Sequence, residues 1–292
     1  MNTQIYYFTG TGNSLIVARG IAAKTDAKLI AIPSVMDRDK IAVNVPVIGL
    51  VFPVYHGGLP LIIKRFVEKL APLEKKYIFG VCTYGDNPGL TMEYLAKLIQ
   101  SHGGELAAGF SVHMPYNYIT PSFVIKNFLG SFTLREIDPV KQQILFADAY
   151  QKINSISACV NNRVTGTLET DAVVISRLAD AIHLHDSLGK SIWLQIAGVH
   201  EPTGLPFRDS IQWMDRAFHS DEQCKGCGTC VKVCPVDNIV LVDKKPVWRQ
   251  HCEQCFACLQ WCPQEAVQFG KNTTGKSRYH HPDVKLKDME LY

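Results

Sequence analysis

The sequence has no long apolar run and almost no excess of charge. Its longest apolar stretch, VPVIGLVFPVY at residues 45–55, is interrupted by prolines and is much shorter than a membrane span. The formal net charge is only +3, and no cluster of basic residues marks a nucleic-acid surface. The opening MNTQIYYFTG lacks the basic and apolar segments of an export signal. These absences predict a cytoplasmic protein with no membrane span and no nucleic-acid partner.

Cysteine is rare outside one short segment. Eight of the ten cysteines lie within residues 224–262 of the 292-residue chain. A secreted disulfide scaffold distributes its cysteines through a small chain, so this crowding indicates metal or cluster ligation instead. The other two, Cys82 in YIFGVCTYG and Cys159 in a helical pattern, are expected to be buried apolar side chains.

Strand and helix signals alternate through the first part of the chain. The candidate strands are Gln4–Phe8, Lys28–Ile32, Pro46–Phe52, Tyr77–Thr83 and Glu105–His113. The candidate helices are Asn13–Lys24, Leu61–Leu70 and Thr91–His102. Strands separated by helices need crossover connections, which favour a doubly wound α/β fold with a parallel sheet covered on both faces.

The middle of the chain has helical signals without a recognisable site. Asp138 and Pro139 have the character of an N-cap and a first helical residue, and a second helical pattern covers 170–194. His183 and His185 stand two residues apart on that second helix and do not share a face. We therefore expect them to pack or to be solvated rather than to bind a metal.

The strongest signal is a repeated C-x2-C-x2-C-x3-C-P pattern. CKGCGTCVKVCP contains Cys224, Cys227, Cys230 and Cys234, and CEQCFACLQWCP contains Cys252, Cys255, Cys258 and Cys262. In bacterial iron–sulfur proteins this run holds [4Fe–4S] clusters, and its fourth cysteine ligates the other cluster. The repeat predicts two clusters with crossed ligands: Cys224, Cys227, Cys230 and Cys262 for one, and Cys252, Cys255, Cys258 and Cys234 for the other.

Structural zinc is the alternative, because paired C-x2-C also suits tetrahedral zinc. Zinc ribbons seldom need three cysteines at this spacing followed by a fourth before proline, and here the pattern occurs twice. Small neighbours let the backbone approach the sulfurs, where amide hydrogen bonds tune a cluster: Gly226, Gly228, Thr229 and Ala257. Residues 220–270 thus resemble a two-cluster ferredoxin of the bacterial type.

The loop FTGTGNS, residues 8–14, follows the first predicted strand and opens a helix. A P-loop needs a lysine after its last glycine, and a dinucleotide fingerprint needs a third glycine and a later acid; the sequence has none of these. Neutral donors at a helix N-terminus suit a single phosphate. The loop resembles the FMN phosphate loop of flavodoxins, T-x-T-G-N-T, with serine in last place, and its candidate contacts are Thr9, Gly10, Thr11, Gly12, Asn13 and Ser14.

Flavodoxin-like sheets of order 2-1-3-4-5 bind FMN where the first and third strands diverge. Two further segments are therefore predicted to contact the flavin, PVYHGGLP at 53–60 and TYGDNPG at 83–89. Their candidate contacts are Pro53, Val54, Tyr55, Gly57, Gly58, Thr83, Tyr84, Gly85, Asn87 and Gly89. Asn117 and Tyr118 are weaker candidates, for which plain loop packing is equally open. A flavodoxin-like shell that has lost its flavin is the alternative.

Both ends of the chain together resemble the flavodoxin–ferredoxin fusion proteins called EFR1-type ferredoxins. NIVLVDKKPVW between the cysteine runs and RYHHP at 278–282 add to the resemblance. It implies a flavodoxin-like domain with a five-stranded parallel sheet of order 2-1-3-4-5, a helical connecting segment, and a small α+β 2[4Fe–4S] ferredoxin domain. The predicted boundaries are 1–165, 166–219 and 220–270, followed by a tail at 271–292 that is expected to be exposed.

The predicted function is electron transfer, as an iron–sulfur flavoprotein oxidoreductase. Clusters exchange single electrons and a flavin exchanges one or two, so no catalytic side chain is required. The partner would be a redox protein or a small-molecule electron donor or acceptor, and a homodimer is compatible with the sequence. One alternative is an FMN-dependent reductase of a small molecule, with His56, Tyr55 and Tyr118 as candidate proton donors. Another is a redox or oxygen sensor that signals by binding a partner.

Overall fold

The chain forms two compact units in the computed structural model, which describes residues 2–117, 138–170, 194, 210–271 and 273–290. Unit 1 contains Met1–Tyr116, Pro139–Val173 and His281–Tyr292, and unit 2 contains Asn117–Asp138 and Val174–His280. Most of the predicted helical segment at 166–219 lies outside the described residues, as do Tyr118, His183 and His185.

Unit 1 is built around a six-stranded parallel sheet. Its strands are β1 (Thr3–Tyr7), β2 (Ala27–Ala31), β3 (Val47–Pro53), β4 (Tyr77–Tyr84), β5 (Leu106–His113) and β6 (Thr167–Leu168). They lie in the order β2-β1-β3-β4-β5-β6, with every neighbouring pair parallel. The first five strands have the 2-1-3-4-5 order of flavodoxin-like sheets, so the predicted fold class is confirmed. The two-residue β6 was not predicted, since so short a strand leaves no periodic pattern.

The described part of unit 1 contains four α-helices. They are α1 (Asn13–Thr25), α2 (Leu61–Lys69), α3 (Thr91–Ser101) and α4 (Pro139–Asn161). Gly20 of α1 faces Ile153 of α4, where a Cβ on the glycine would lie 3.0 Å from the isoleucine side chain. The missing side chain therefore lets the two helices approach closely. No helix in the described part of the chain combines the length and apolar character needed to cross a membrane.

The core of unit 1 lies on both sides of the central strands. All seven residues of β3 are buried, as expected for a parallel sheet with both faces covered. Gly49 admits the ring of Phe79 from β4, since a Cβ there would lie 2.4 Å from a ring carbon. Cys82 is fully buried as predicted, whereas Cys159 is only half-buried, because its face of α4 is partly open to solvent.

Unit 2 is a small α+β fold, as predicted. Its elements are β7 (Phe218–Ser220), α5 (Thr229–Lys232), β8 (Ile239–Val242), β9 (Lys245–Trp248), α6 (Ala257–Gln260) and β10 (Val267–Phe269). Strands β7 and β10 pair antiparallel, and β8 and β9 form an antiparallel hairpin. The ring of Phe218 packs against Trp248, Phe256 and Phe269, with centroids 4.8–5.5 Å apart. This aromatic cluster supplies much of the apolar burial that holds so small a fold together.

Candidate functional site

The two cysteine loops of unit 2 repeat one backbone conformation. In the first loop Gly226 and Gly228 have φ of 67° and 78°, and in the second Gln254 and Phe256 have φ of 53° and 58°. The second of each pair is the N-cap of the one-turn helix that follows, α5 or α6. The repeated spacing therefore corresponds to a repeated structure, although only the first loop has glycine at the left-handed positions.

A small cavity lies among cysteines from both loops. Its sulfur-bearing residues are Cys224, Cys227, Cys230 and Cys262, here called the outer set. Cys227 is exposed, Cys224 and Cys262 are half-buried, and Cys230 is buried. Cys262 comes from the second loop, so the structure assembles the crossed set that the spacing predicted.

A second small cavity is lined by Cys234, Cys252, Cys255 and Cys258, here called the inner set. All four cysteines are buried. Phe218, Trp248 and Phe256 form part of the cavity wall, and the buried Glu253 also lines it. Cys234 is the fourth cysteine of the first loop, so this set is crossed in the reciprocal sense.

The thiols of the inner set are strongly disfavoured as thiolates. Burial raises the pKa of Cys252 and Cys258 well above the usual value and that of Cys255 to about 12, and other cysteines of the set raise these pKa values further. In the outer set burial raises the pKa of Cys230 to about 11, whereas hydrogen bonding with Thr229 lowers the pKa of Cys227. Four thiolates crowded together require positive ions to offset their repulsion, which iron supplies. The donor chemistry therefore fits iron–sulfur clusters.

The spacing of the cysteines favours clusters over zinc. Within residues 2–117, 138–170, 194, 210–271 and 273–290, no three His, Cys, Asp or Glu side chains are arranged to hold a single metal ion. A structural zinc site would place four sulfurs about 2.3 Å from one point. Each cysteine set instead surrounds a cavity, as ligands at the corners of a cluster do.

Hydrogen-bond donors point at sulfurs of the inner set. The backbone N–H of Asn238 donates to Cys234 Sγ and that of Gln254 to Cys252 Sγ, both at 3.2 Å. The buried Nε1 of Trp248 makes no hydrogen bond of ordinary geometry, yet the indole is close enough to Cys258 to lower the pKa of that thiol against the effect of burial. Such donors stabilise negative charge on sulfur and are a means of tuning a cluster.

The predicted phosphate loop of unit 1 ends β1 and begins α1. All six candidate residues, from Thr9 to Ser14, are buried. Gly12 is the N-cap of α1 with φ of 98°, and its N–H donates to Thr9 Oγ1 at 3.0 Å. That bond uses Thr9 as an acceptor and leaves its O–H able to donate to a ligand. The first turn of α1 carries no acidic residue, and the positive end of a helix dipole is a favourable place for a phosphate.

The structure brings the three predicted flavin segments to one edge of the sheet. Ser14 and Thr83 share a buried hydroxyl–hydroxyl hydrogen bond of 2.7 Å. The N–H of Val54 donates to the Thr83 carbonyl oxygen at 2.8 Å, which holds the second segment, with Pro53, against the third. A Cβ on Gly89 would lie 3.4 Å from the carbonyl oxygen of Gly57. The segments therefore converge at the carboxyl ends of β1, β3 and β4, where the sheet order places a ligand site.

Tyr55, a candidate for contact with the flavin ring, lies at the start of a tight turn. Tyr55 and Gly58 exchange two backbone hydrogen bonds around His56 and Gly57, which have φ of 48° and 71° as in a type I′ turn. The half-buried ring of Tyr55 meets Phe8 edge-on at 6.0 Å. This turn presents Tyr55 beside the end of β1.

The third segment shows two residues that sequence reasoning missed. His113 stacks on Tyr84 at 5.0 Å, and Tyr116 covers Gly85 so closely that a Cβ there would lie 2.3 Å from its ring. The exposed Asn87 accepts a hydrogen bond from the Gly89 N–H through its side-chain oxygen. His113 is the last residue of β5 and Tyr116 lies shortly after it. Neither belongs to a motif, so only their position at the end of this strand could have indicated them.

One sequence expectation needs revision, and another stays open. The Asn117 backbone carbonyl accepts a hydrogen bond from Gln260 within unit 2, which fits the packing alternative, and contact of its side chain with a flavin stays a prediction. The tail motif RYHHP was expected to be exposed, but Tyr279 and His281 are buried. The Tyr279 N–H donates to Gln260 Oε1 and the His281 N–H donates to the Thr11 carbonyl oxygen, so each anchors a different part of the chain.

The comparison with protein-family models gives a match within unit 2. Residues 216–263 match the family model of the 4Fe-4S dicluster domain. No match to a curated protein was found. The cysteine-bearing part of unit 2 is therefore assigned at family level.

The solved structures that are similar include flavodoxins. A flavodoxin from the domain Archaea is 12% identical, covers 56% of this chain and 98% of its own, and has a TM-score of 0.38. The Megasphaera elsdenii flavodoxin is 22% identical, with 38% and 85% coverage and a TM-score of 0.30. An FMN-dependent NADH-azoreductase from Bacillus anthracis is 10% identical, with 55% and 99% coverage and a TM-score of 0.35. These TM-scores are too low to support a fold assignment, which is based on the strand order of unit 1 instead. The chain joins a flavodoxin-like domain to a 4Fe-4S dicluster domain, as a flavodoxin–ferredoxin fusion does.

Proposed function

We propose that this chain transfers electrons between two [4Fe–4S] clusters and FMN, and so couples one-electron and two-electron steps. The observation that carries the proposal is the crossed assembly of eight cysteines around two separate cavities. Bound FMN supplies a centre that exchanges either one or two electrons. The narrower assignment to the EFR1-type fusions belongs to the same proposal.

The cysteine sets would hold the clusters as four-sulfur cages. Cys224, Cys227, Cys230 and Cys262 bind one cluster, and Cys234, Cys252, Cys255 and Cys258 bind the other. Each loop contributes three ligands to its own cluster and one to the other, so both clusters depend on both loops. The exposed sulfur of Cys227 marks the outer set as the side on which an external donor or acceptor approaches.

The phosphate loop would hold FMN by neutral donors alone. Thr9, Thr11, Asn13 and Ser14 contribute polar side chains at the N-terminus of α1, and Gly10 and Gly12 allow close backbone approach. Segments 53–58 and 83–89 then contact the flavin ring, with Tyr55 and Tyr84 as the aromatic neighbours. Absence of a cationic side chain favours FMN over ligands with more phosphate charge.

The alternative reductase activity would need a proton donor beside the flavin, for which His56, Tyr55 and Tyr118 are the candidates. Burial lowers the pKa of His56 to about 4, so this imidazole is neutral near pH 7 and is a poor general acid. Tyr118 lies outside the described residues. Direct electron transfer needs no proton donor, and we therefore prefer an electron carrier over a reductase with its own substrate.

The decisive experiment combines composition with kinetics. Anaerobically purified chain should contain about eight iron atoms, as many sulfide ions and one FMN. Rapid mixing with a low-potential one-electron reductant should reduce the flavin faster in the wild-type chain than in Cys262→Ser, because reducing equivalents enter through the clusters. Cys159→Ser is the matched control, since this half-buried cysteine belongs to neither set.

Equal rates of flavin reduction in the wild-type chain and Cys262→Ser would overturn the transfer between clusters and FMN. A wild-type chain with iron but no FMN would leave only a ferredoxin-like carrier. A chain with zinc in place of iron and sulfide would overturn the proposal entirely.

A further inference from the structure

The end of the chain packs on the outer side of the phosphate loop. We call residues 281–290 the C-terminal strap; all of them belong to unit 1. The His281 N–H donates to the Thr11 carbonyl oxygen at 2.8 Å. Val284 is buried against Gly12, where a Cβ on the glycine would lie 2.9 Å from the valine side chain. The strap therefore contacts the loop at the residues that begin α1.

The Thr11–Gly12 peptide is held from both ends. Its carbonyl accepts from His281 and its N–H donates to Thr9 Oγ1. A planar trans peptide whose two polar groups are both bonded cannot rotate without breaking one of them. Gly12 has φ of 98°, which glycine adopts readily but does not hold by itself, and the two hydrogen bonds restrain this conformation at the N-cap of α1.

The strap is anchored independently at both of its ends. The buried His281 packs on Phe146 of α4 at 4.5 Å, and its Nδ1 accepts from the Asp283 N–H. At the other end Asp288 forms an ion pair with Arg19 of α1 at 2.8 Å. Asp288 also accepts from the Lys285 N–H, which closes the short turn at Leu286–Asp288. The strap thus crosses the phosphate loop between fixed points on two helices.

We propose that the C-terminal strap is a positioning element for phosphate binding: it holds the loop at Thr11 and Gly12 in the conformation that receives the phosphate of FMN. The inference rests on the proposed FMN site. A preorganised loop loses less conformational freedom on binding, so the strap raises affinity without touching the ligand. No strap contact with the ring segments 53–58 and 83–89 is needed for this effect.

The test compares FMN with riboflavin, which has the same ring but no phosphate. Full-length chain with its clusters, freed of flavin by dialysis, would be titrated with each flavin by fluorescence quenching. The variants are Val284→Asp, which disrupts packing on Gly12, and Asp288→Asn, which weakens the distant anchor. Lys287→Ala is the control, because this side chain is exposed on the strap.

We expect Val284→Asp to raise the FMN Kd by tenfold or more and Asp288→Asn to raise it two- to fivefold. The riboflavin Kd should change less than twofold in both variants, and iron content should stay as in the wild-type chain. Equal weakening of both flavins would show general destabilisation and overturn the inference, as would an unchanged FMN Kd in Val284→Asp. A wild-type chain that binds neither flavin would instead overturn the proposed function, and the inference with it.

Discussion

The outer and inner cysteine sets have the same ligands in opposite surroundings. The outer set has an exposed sulfur at Cys227 and a glycine-bearing loop, and Lys232 contributes to lowering the pKa of Cys227. The inner set is enclosed by aromatic side chains, and burial raises the pKa of every one of its cysteines. Reduction adds negative charge to a cluster, which solvent and cations stabilise and an apolar cavity does not. The comparison teaches that one motif can place its cysteines in two different environments, and we expect a cluster in the outer set to have a higher reduction potential than one in the inner set.

The left-handed backbone conformation at Phe256 places an aromatic ring beside the inner set. Phe256 occupies the left-handed position that Gly228 occupies in the outer loop, and its ring is 4% exposed. A non-glycine residue there is strained by on the order of 1–3 kcal/mol. Burial of the ring among Phe218 and Phe269 offsets this strain. Gly228, with no side chain, leaves the outer set open.

The largest effect is expected from replacing each of the two crossed ligands, Cys262 and Cys234, in a separate variant. Cys262→Ser should remove the outer cluster and Cys234→Ser the inner cluster, each lowering iron from about eight to about four per chain. Alkylation read by mass spectrometry identifies the loss: Cys224 and Cys227 should become reactive in the first variant and stay protected in the second. The reverse pattern would mean that the four cysteines of each loop hold one cluster, and the division into the outer and inner sets would be wrong.

An intermediate effect is expected from opening the inner set. Phe256→Gly removes about 3–5 kcal/mol of burial and relieves about 1–3 kcal/mol of strain, for a net destabilisation of about 2 kcal/mol. Solvent entering the cavity should raise the lower of the two reduction potentials toward the higher one, as followed by a redox titration with electron paramagnetic resonance. Gly228→Ala at the equivalent outer position is the control and should leave the lower potential unchanged. If both reduction potentials are unchanged in Phe256→Gly, burial is not the cause of the difference between them.

The smallest effect is expected from the indole of Trp248. Trp248→Phe keeps the aromatic packing on Phe218, whose ring is stacked at 5.5 Å, but removes the N–H near Cys258. If this N–H stabilises negative charge on the sulfur by about 1 kcal/mol, its loss corresponds to a decrease of roughly 20–60 mV in the inner potential for a one-electron couple. The same titration measures it, with the outer potential as internal reference. An equal shift of both potentials would indicate a general change in structure instead.

Much of unit 1 was predictable from local pattern. The five main strands and the helices α1, α2 and α3 begin and end within one residue of the predicted bounds, because buried parallel strands appear as continuous apolar runs. The phosphate loop was readable because its glycines, hydroxyls and lack of lysine constrain which anion it suits. Likewise, the crossed cysteine sets were predictable from the C-x2-C-x2-C-x3-C-P spacing, because the fourth cysteine of this run ligates the other cluster.

Other features were not predictable because they depend on distant contacts. Arg19 and Asp288 form their ion pair across 269 residues, and no pattern near either one indicates the partner. RYHHP was expected to be exposed because polar tail residues usually are, whereas packing buries His281. Cys159 was expected to be buried because helical periodicity alone does not show which face of α4 meets the rest of unit 1.

The sequence by itself determined the alternation of strands and helices, the donor chemistry of the phosphate loop and the number of sulfurs in each set, since these follow from periodicity, residue type and spacing. Only the tertiary structure decided that one sulfur set is enclosed and the other open, and that the end of the chain braces Gly12. Burial and long-range packing arise when segments from different parts of the chain meet. Their free energies depend on neighbours in space, which no local stretch of residues specifies.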